Sequence, residues 1–352
     1  MKYKPDWIKA KERLTALWNH EVLDRPCIAV TSPNGNSVVS PPEPSTPRKK
    51  WLDPDWVLAD LSASLESTWW GGEAIPSYLL MGGWTLCLGG TPRFDLQTIW
   101  FDTMNVEFSD PSPFRYDHGD VWVQAHANLY ETVAKFAGKD DFLVGKPCML
   151  HANDLLSMLM GTESFLISLI DHPDWMREAI ITGAREQRSM GQRLCACIQN
   201  EHEFWYGNAG WMPFWAPEPY VSMQSDVSCM LSTDMFEFFV VPELDISAEE
   251  YGTLWYHLDG GDARHHLPRL LSLPYLRVVQ YMPAPCEPPN GPAHLDLYRE
   301  IQAAGKIVHI QVPKEYVEPL IRELDPARLM LQTNCTNVAE GQALLEAAKH
   351  WI

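Results

Sequence analysis

The sequence predicts an α/β fold, a closed (β/α)₈ TIM barrel that carries an N-terminal helical elaboration. Eight short apolar runs recur along the 352 residues, and amphipathic helices separate the later ones. Strand, helix and strand at short intervals favour right-handed βα units around a parallel sheet. A doubly wound open sheet is the alternative, but no GxGxxG phosphate-binding loop follows the first strand. Because single barrels commonly reach about 250 residues or more, we expect residues 1–352 to form one domain.

The chain opens with an amphipathic helix and continues into a less regular region. The helix is predicted from about Asp6 to His20, with Leu14 and Leu17 on its apolar face. A proline-rich stretch at 40–47 indicates a surface loop. Residues 32–141 contain one clear strand pattern, so they are predicted to be an insertion or elaboration that packs over one end of the barrel.

The predicted strands are apolar runs of five to ten residues, and three predicted helices lie between or after the later ones. The strands are Cys27–Thr31, Tyr78–Cys87, Gly145–Leu150, Phe204–Asn208, Leu254–Leu258, Leu276–Tyr281, Ile307–Val312 and Leu329–Thr333. The helices are Glu163–Gly183, Leu295–Gly305 and Glu340–His350.

The composition excludes several classes of protein. With 27 basic and 46 acidic residues the net charge is −19, which disfavours binding to nucleic acid or to an anionic membrane surface. No apolar run approaches the length of a membrane span, and the N-terminus lacks the apolar segment of a secretory signal. The eight cysteines show no small-scaffold spacing. We therefore expect a soluble cytoplasmic protein with reduced thiols that acts on a small molecule; the sequence leaves its oligomeric state open.

The strongest chemical signal lies at the carboxyl ends of two predicted strands, where barrels place their reactive groups. His257 and Asp259 are two residues apart, so on a strand they share one face. Cys335 follows another strand and is expected at the same mouth. A nitrogen, a carboxylate and a thiolate would make a three-ligand zinc site with an open position. The alternative is an acid–base or structural dyad of His257 and Asp259 beside a buried thiol.

Other polar and aromatic residues near strand ends are candidates for contacts with substrate. Asp226 is either a helix cap or a catalytic general base in the barrel mouth. Gln280 is expected either to contact substrate or to orient His257. The tryptophans are either core residues or the aromatic wall of a pocket. The predicted substrate-binding residues are His151, Trp211, Trp215, Gln280 and Tyr281.

Four segments resemble motifs of the uroporphyrinogen decarboxylase superfamily. The run from Asp154 to Pro173 resembles a helical motif of that superfamily, and Ser225-Asp226 with the run Met235–Pro242 resembles a second. His257-Leu258-Asp259-Gly260 stands where the methyltransferase branch carries His-x-Cys-Gly, and Cys335 stands where that branch carries a C-terminal cysteine. The resemblance covers roughly residues 145–352.

The resemblance implies a (β/α)₈ barrel and one of two activities. Members of the branch that it most resembles are zinc-dependent enzymes that move methyl groups between a corrinoid protein and a thiol such as coenzyme M. Other members are cofactor-free decarboxylases, but their arginine-rich N-terminal signature is missing, and Asp24-Arg25-Pro26-Cys27-Ile28 stands near its place. We therefore expect a metal-assisted methyltransferase that uses zinc and a corrinoid protein as partner. A decarboxylase or lyase, and a non-catalytic corrinoid or tetrapyrrole binder, are the alternatives.

One residue departs from the methyltransferase pattern. Asp259 replaces the family's first cysteine, so the ligand set becomes His257, Asp259 and Cys335. Zinc accepts carboxylate oxygen, so metal binding is compatible with the change. A harder ligand favours a Lewis acid over a metal that carries a strongly nucleophilic thiolate, which weakens the expectation of a thiol acceptor.

Overall fold

The computed structural model describes residues 1–78, 88–109, 112–117, 119–138, 141–145, 151–196 and 212–352. Within them the chain alternates helices with short strands. The strands are β1 (Cys27–Pro33), β2 (Thr68–Gly72), β3 (Ser77–Tyr78), β4 (Pro92–Phe94), β5 (Ile99–Phe101), β6 (Leu143–Val144), β7 (Val221–Met223), β8 (Leu254–Asp259), β9 (Leu276–Met282), β10 (Ile307–Gln311) and β11 (Leu329–Asn334).

The helices cover both the N-terminal part and the βα units of the second half. They are α1 (Trp7–Trp18), α2 (Pro47–Leu52), α3 (Pro54–Ser67), α4 (Val121–Ala137), α5 (Ala152–Met160), α6 (Thr162–Asp171), α7 (Pro173–Cys195), α8 (Thr233–Met235), α9 (Val241–Tyr251), α10 (Leu267–Leu271), α11 (Leu295–Ala303), α12 (Val317–Glu323) and α13 (Val338–Ala347). No described helix has the length and apolarity needed to cross a bilayer.

A seven-stranded sheet forms the centre of the molecule, in the order β2-β1-β11-β10-β9-β8-β7. The strands β1, β11, β10, β9, β8 and β7 each run parallel to the next one in this order, which confirms the α/β class. A closed barrel is not shown, because β2 and β7 stand at opposite ends of this sheet without pairing in the described residues. The predicted strands at 78–87, 145–150 and 204–208 fall almost wholly outside the described residues.

The sequence predicts the other five strands within two residues, but it misses both edge strands of the sheet, β2 and the three-residue β7. β2 lies inside the predicted 32–141 elaboration and pairs antiparallel to β1, with Thr31 opposite Trp70. Part of this region therefore extends the main sheet. The second difference is a helix predicted as continuous over 163–183. It breaks between α6 and α7 because Pro173 removes a backbone donor and takes the first position of the new helix.

Alternation along the strands separates the two faces of the sheet. Leu254, Tyr256 and Leu258 of β8 pack into the apolar cluster beneath the helices. Trp255 points the other way, into a second cluster that contains α1 and the first inward residues of the neighbouring strands. His257 and Asp259 share the face of Trp255 because side chains two apart on a strand point the same way. The inward face thus changes from apolar to polar along β8.

His309 lies on this inward face and is fully buried. Trp255 Nε1 donates to its Nδ1 over 3.1 Å, and its Nε2 lies 3.1 Å from the side-chain amide of Gln332. Burial lowers the pKa of His309 from 6.5 to about 3, so the folded protein holds a neutral imidazole here.

The pKa of His309 predicts a loss of stability on acidification. The unfolded chain binds a proton at this residue below pH 6.5 and the folded chain does not, so the stabilising contribution declines as pH falls from 6.5 towards 3. At pH 4 one such group costs about 3 kcal/mol of unfolding free energy. We expect His309→Gln to lose less stability than the wild type between pH 7 and pH 4 in urea denaturation. Parallel profiles for the two proteins would contradict this.

Candidate active site

Asp226, His257 and Asp259 come together at the carboxyl edge of the sheet. Each offers one ligand atom, and the three atoms all lie within 4.8 Å of one another. Nε2 of His257 is 3.8 Å from Oδ1 of Asp259. His257 is buried, whereas the two aspartates reach solvent. One imidazole and two solvent-exposed carboxylates form a three-ligand set that suits a catalytic divalent cation.

The sheet topology explains why the three residues meet. β7 and β8 are parallel neighbours, so their carboxyl ends lie side by side. His257 and Asp259 lie at the end of β8, and Asp226 begins the short 3₁₀ helix Asp226–Met230 that follows β7. The sequence separates Asp226 from His257 by some thirty residues, and the parallel pairing places them together.

Gln280 fixes the orientation of His257. It lies directly opposite His257 on β9, and its Oε1 contacts Nδ1 of the imidazole. The amide is itself held, because Gln280 Nε2 donates to the Tyr281 carbonyl over 2.7 Å. With Nδ1 as the donor, Nε2 is the nitrogen that faces Asp259. A hydrogen-bonded outer partner of this kind sets the tautomer of a metal-binding histidine.

Asp154, on α5, supports the cluster from behind. Its side chain is buried, and Oδ1 accepts from Val227 N over 3.0 Å. This contact stabilises the first turn after β7 and so positions Asp226. Oδ2 of Asp154 is buried without a hydrogen-bond partner in the described residues. A buried carboxylate oxygen without a partner is costly and marks a place where a cation would be favourable.

Glu243, on α9, holds the start of α5. Its carboxylate contacts the backbone N–H of Ala152 and accepts from Asn153 N over 3.2 Å. Asn153 Nδ2 donates to the same carboxylate over 2.7 Å. An acid at the N-terminus of a helix satisfies backbone donors and complements the helix dipole. Glu243 thus fixes the helix that carries Asp154.

The electrostatics of the cluster favour a bound cation. Asp154, Asp226 and Asp259 make no ion pair with lysine or arginine among the described residues. Loss of water around Asp226, with repulsion from the carboxylates of Asp154 and Asp259, raises its pKa to about 8. Burial raises the pKa of Asp154 and lowers the pKa of His257. A cation among these oxygens would lower the pKa of Asp226 and of Asp154 again. The lowered pKa of His257 keeps its imidazole neutral, which is the form that binds metal.

Cys335 lies outside this group. It follows β11, which β10 and β9 separate from β8, and its backbone N–H donates to Thr31 O over 2.8 Å. The thiol is buried, and burial together with the Glu340 carboxylate raises its pKa. The geometry therefore supplies a second carboxylate, Asp226, where the sequence predicts a thiolate ligand.

Two predicted substrate contacts lie elsewhere. Tyr281 is on the opposite face of β9 from Gln280, and its hydroxyl donates to Glu287 Oε1 over 3.0 Å. Trp215 packs edge-on against Trp7 of α1, with ring centroids 5.9 Å apart, in the second apolar cluster. Tyr281 points away from the site because successive side chains on a strand alternate between its two faces. Trp215 lies in the core because it packs on the apolar surface of α1. Trp211 lies outside the described residues.

His151 stands just before α5, behind the cluster. Its Nδ1 is 4.0 Å from Oε1 of Glu243, and burial lowers its pKa to about 4. It is therefore a neutral imidazole at the helix start. The sequence pattern indicates no role for Asp154 or Glu243. The one signal is that Asp154 begins the run to Pro173 that resembles a motif of the uroporphyrinogen decarboxylase superfamily.

Comparison with solved structures places the fold beside a methyltransferase. A methyltransferase from Methanosarcina mazei matches with a TM-score of 0.57 and 13% identity, over 97% of this chain and 98% of that one. A B12-independent methionine synthase from Shewanella sp. W3-18-1 matches at 0.38 and 12% identity, over 64% of each chain. A citrate lyase from Burkholderia xenovorans LB400 matches at 0.29 and 13% identity, over 63% of each chain. The first match shows a shared fold; the other two scores are too low to support an argument. No family model and no curated protein matches the chain.

The contacts of Glu243 predict a large effect of its removal. Glu243→Ala leaves two backbone N–H groups without their acceptor and removes one of the two acceptors of the Asn153 amide, and we expect it to lower the free energy of unfolding by about 3 kcal/mol or more. Glu243→Gln keeps one acceptor oxygen and should lose less. Glu249→Ala is the control, since Glu249 is exposed on the same helix. Equal urea midpoints for the alanine variants at positions 243 and 249 would contradict the assignment.

Proposed function

We propose that this protein is a metal-dependent methyltransferase whose metal is held by Asp226, His257 and Asp259. The observation that carries the proposal is the convergence of these ligand atoms within 4.8 Å at the carboxyl edge of the sheet. The shared fold with the M. mazei methyltransferase supports the reaction class. The motif resemblance described above supports a corrinoid protein as the methyl donor.

The residues fit a borderline divalent cation such as zinc. Zinc binds imidazole nitrogen and carboxylate oxygen, and a catalytic site keeps one position open for substrate. When bound, the metal would act as a Lewis acid that lowers the pKa of the methyl acceptor. Two carboxylates and no thiolate favour an oxygen or nitrogen acceptor over the thiol that the resemblance implies.

The chain's own residues have separate tasks in this reaction. Gln280 holds the proton of the His257 imidazole on Nδ1 and leaves Nε2 directed at the carboxylates, while burial lowers the pKa of His257 and favours the neutral form. Asp154 holds the turn that carries Asp226, which keeps the ligand set preorganised. The methyl group would leave its donor as a methyl cation equivalent, and the bonding electron pair would stay on the donor. The acceptor atom would supply the electron pair for the new bond, and its proton would pass to solvent water.

Metal uptake tests the ligand set. We expect about one zinc ion per chain after dialysis against zinc and removal of the excess. His257→Ala, Asp226→Asn and Asp259→Asn should each lose most of it, because two protein ligands rarely hold the metal. Cys335→Ser is the matched control and should bind zinc like the wild type. A loss in Cys335→Ser as large as in His257→Ala would show instead that Cys335 is a ligand.

Methyl transfer tests the reaction. Zinc-loaded protein should demethylate free methylcobalamin in the presence of small thiol, amine or alcohol acceptors, followed by the change in corrinoid absorbance. His257→Ala should abolish this activity, and Cys335→Ser should retain it. If the wild type neither binds a divalent metal nor demethylates methylcobalamin, the methyltransferase proposal is wrong. His257 and Asp259 would then handle protons in a metal-free lyase.

A further inference from the structure

A second feature of the inward face is a small pocket at the other side of the sheet. It has a volume of about 70 Å³ and lies at the carboxyl ends of β1, β10 and β11. Its polar lining comes from Thr31, Trp70, Gln311, Gln332, Thr333 and Asn334. A water molecule needs about 10–15 Å³ of comparable space, so the pocket holds a group of several non-hydrogen atoms.

The pocket is polar but carries no charge. Apart from amide, hydroxyl and indole groups, its lining consists of alanine, isoleucine and proline side chains, and none of the lining residues is acidic, basic or histidine. Ala29 and Ala74 contribute small apolar surfaces to the lining. Gln311 and Asn334 are exposed, so a charged ligand group would lose part of its hydration here, and it would gain no opposite charge in return. The lining therefore selects a neutral group.

Several hydrogen-bonding groups of the lining have no partner within the described part of the chain. The indole Nε1 of Trp70 is buried without an acceptor. Thr31 Oγ1 donates to Asn334 Oδ1 over 2.6 Å, so the amide nitrogen of Asn334 is the donor that remains. Gln311 contributes a further amide with a donor and an acceptor. A ligand group with both a carbonyl oxygen and an N–H would satisfy this set.

A row of buried polar residues runs between the pocket and the carboxylate cluster. His257, Gln280 and His309 are neighbours across β8, β9 and β10, and His309 contacts Gln332 in the pocket lining. β11 stands three strands from β8, which corresponds to roughly 14 Å at the usual strand spacing. A ligand that reaches both places is therefore an extended small molecule.

We infer that this pocket binds a neutral carboxamide group of the substrate, while the reacting end of the same molecule lies at the carboxylate cluster. The inference rests on the proposed function only in treating the cluster as the reacting end. The amide-rich lining, the unpaired indole N–H and the absence of charge among the lining residues carry the rest. The non-reacting amide would provide binding energy that orients the acceptor atom.

The indole N–H of Trp70 gives a direct measurement. Protein labelled with ¹⁵N at tryptophan shows one indole signal per tryptophan, and Trp70→Phe identifies the signal of Trp70. Acetamide, acetate and acetamidinium have nearly the same shape and are neutral, anionic and cationic. In metal-free protein we expect acetamide to shift the Trp70 signal saturably, and the two ions to need at least about tenfold higher concentration, because their desolvation is not compensated.

Variants of the lining separate binding in the pocket from general effects. Gln311→Leu and Asn334→Leu should each weaken the acetamide shift, and unchanged indole signals elsewhere report an intact fold. No saturable shift, or equal shifts with all three probes, would overturn the inference. Since the protein is stripped of metal, this result is independent of zinc uptake. Failure of the metal site would leave an acetamide response intact, and failure of the pocket would leave metal binding intact.

Discussion

The hydrogen bond from Val227 N to the buried carboxylate of Asp154 is the contact on which the site depends. It ties α5 to the turn after β7, and that turn carries Asp226. Glu243 in turn holds α5 through the N–H groups of Ala152 and Asn153. Two buried acids are thus stabilised by backbone donors rather than by basic side chains. These donors offset only part of the cost of burial, because the pKa of each of the two carboxyl groups is still raised, and a cation beside Asp154 would favour its charged form.

The inward face of the sheet combines two chemical environments. Near α1 it is apolar, and Trp255 belongs to the core. Two residues further along β8, His257 contacts Gln280, and at the end of the strand Asp259 reaches solvent. This gradient lets the core stabilise the strands while their carboxyl ends bind polar groups, the arrangement by which α/β proteins separate folding from function.

The strand pattern made β1, β8, β9, β10 and β11 predictable, because each is a short apolar run that ends in polar or turn residues. The two edge strands, β2 and β7, were not predictable in this way. β7 has only three residues, Val221–Met223. The sequence of β2, Thr68-Trp69-Trp70-Gly71-Gly72, is short and rich in glycine, and its antiparallel pairing with β1 is a long-range choice. The break before Pro173 was readable from the proline, but the apolar periodicity on both sides suggested one helix.

The sequence by itself determined the alternation that puts His257 and Asp259 on one face of a strand. The tertiary structure decided the rest of the site. It brought Asp226 to His257 because β7 and β8 pair in parallel, and it left Cys335 three strands away. Local spacing fixes the direction of a side chain on its own strand. Which strand ends become neighbours depends on sheet order, and sheet order depends on the packing of the whole chain.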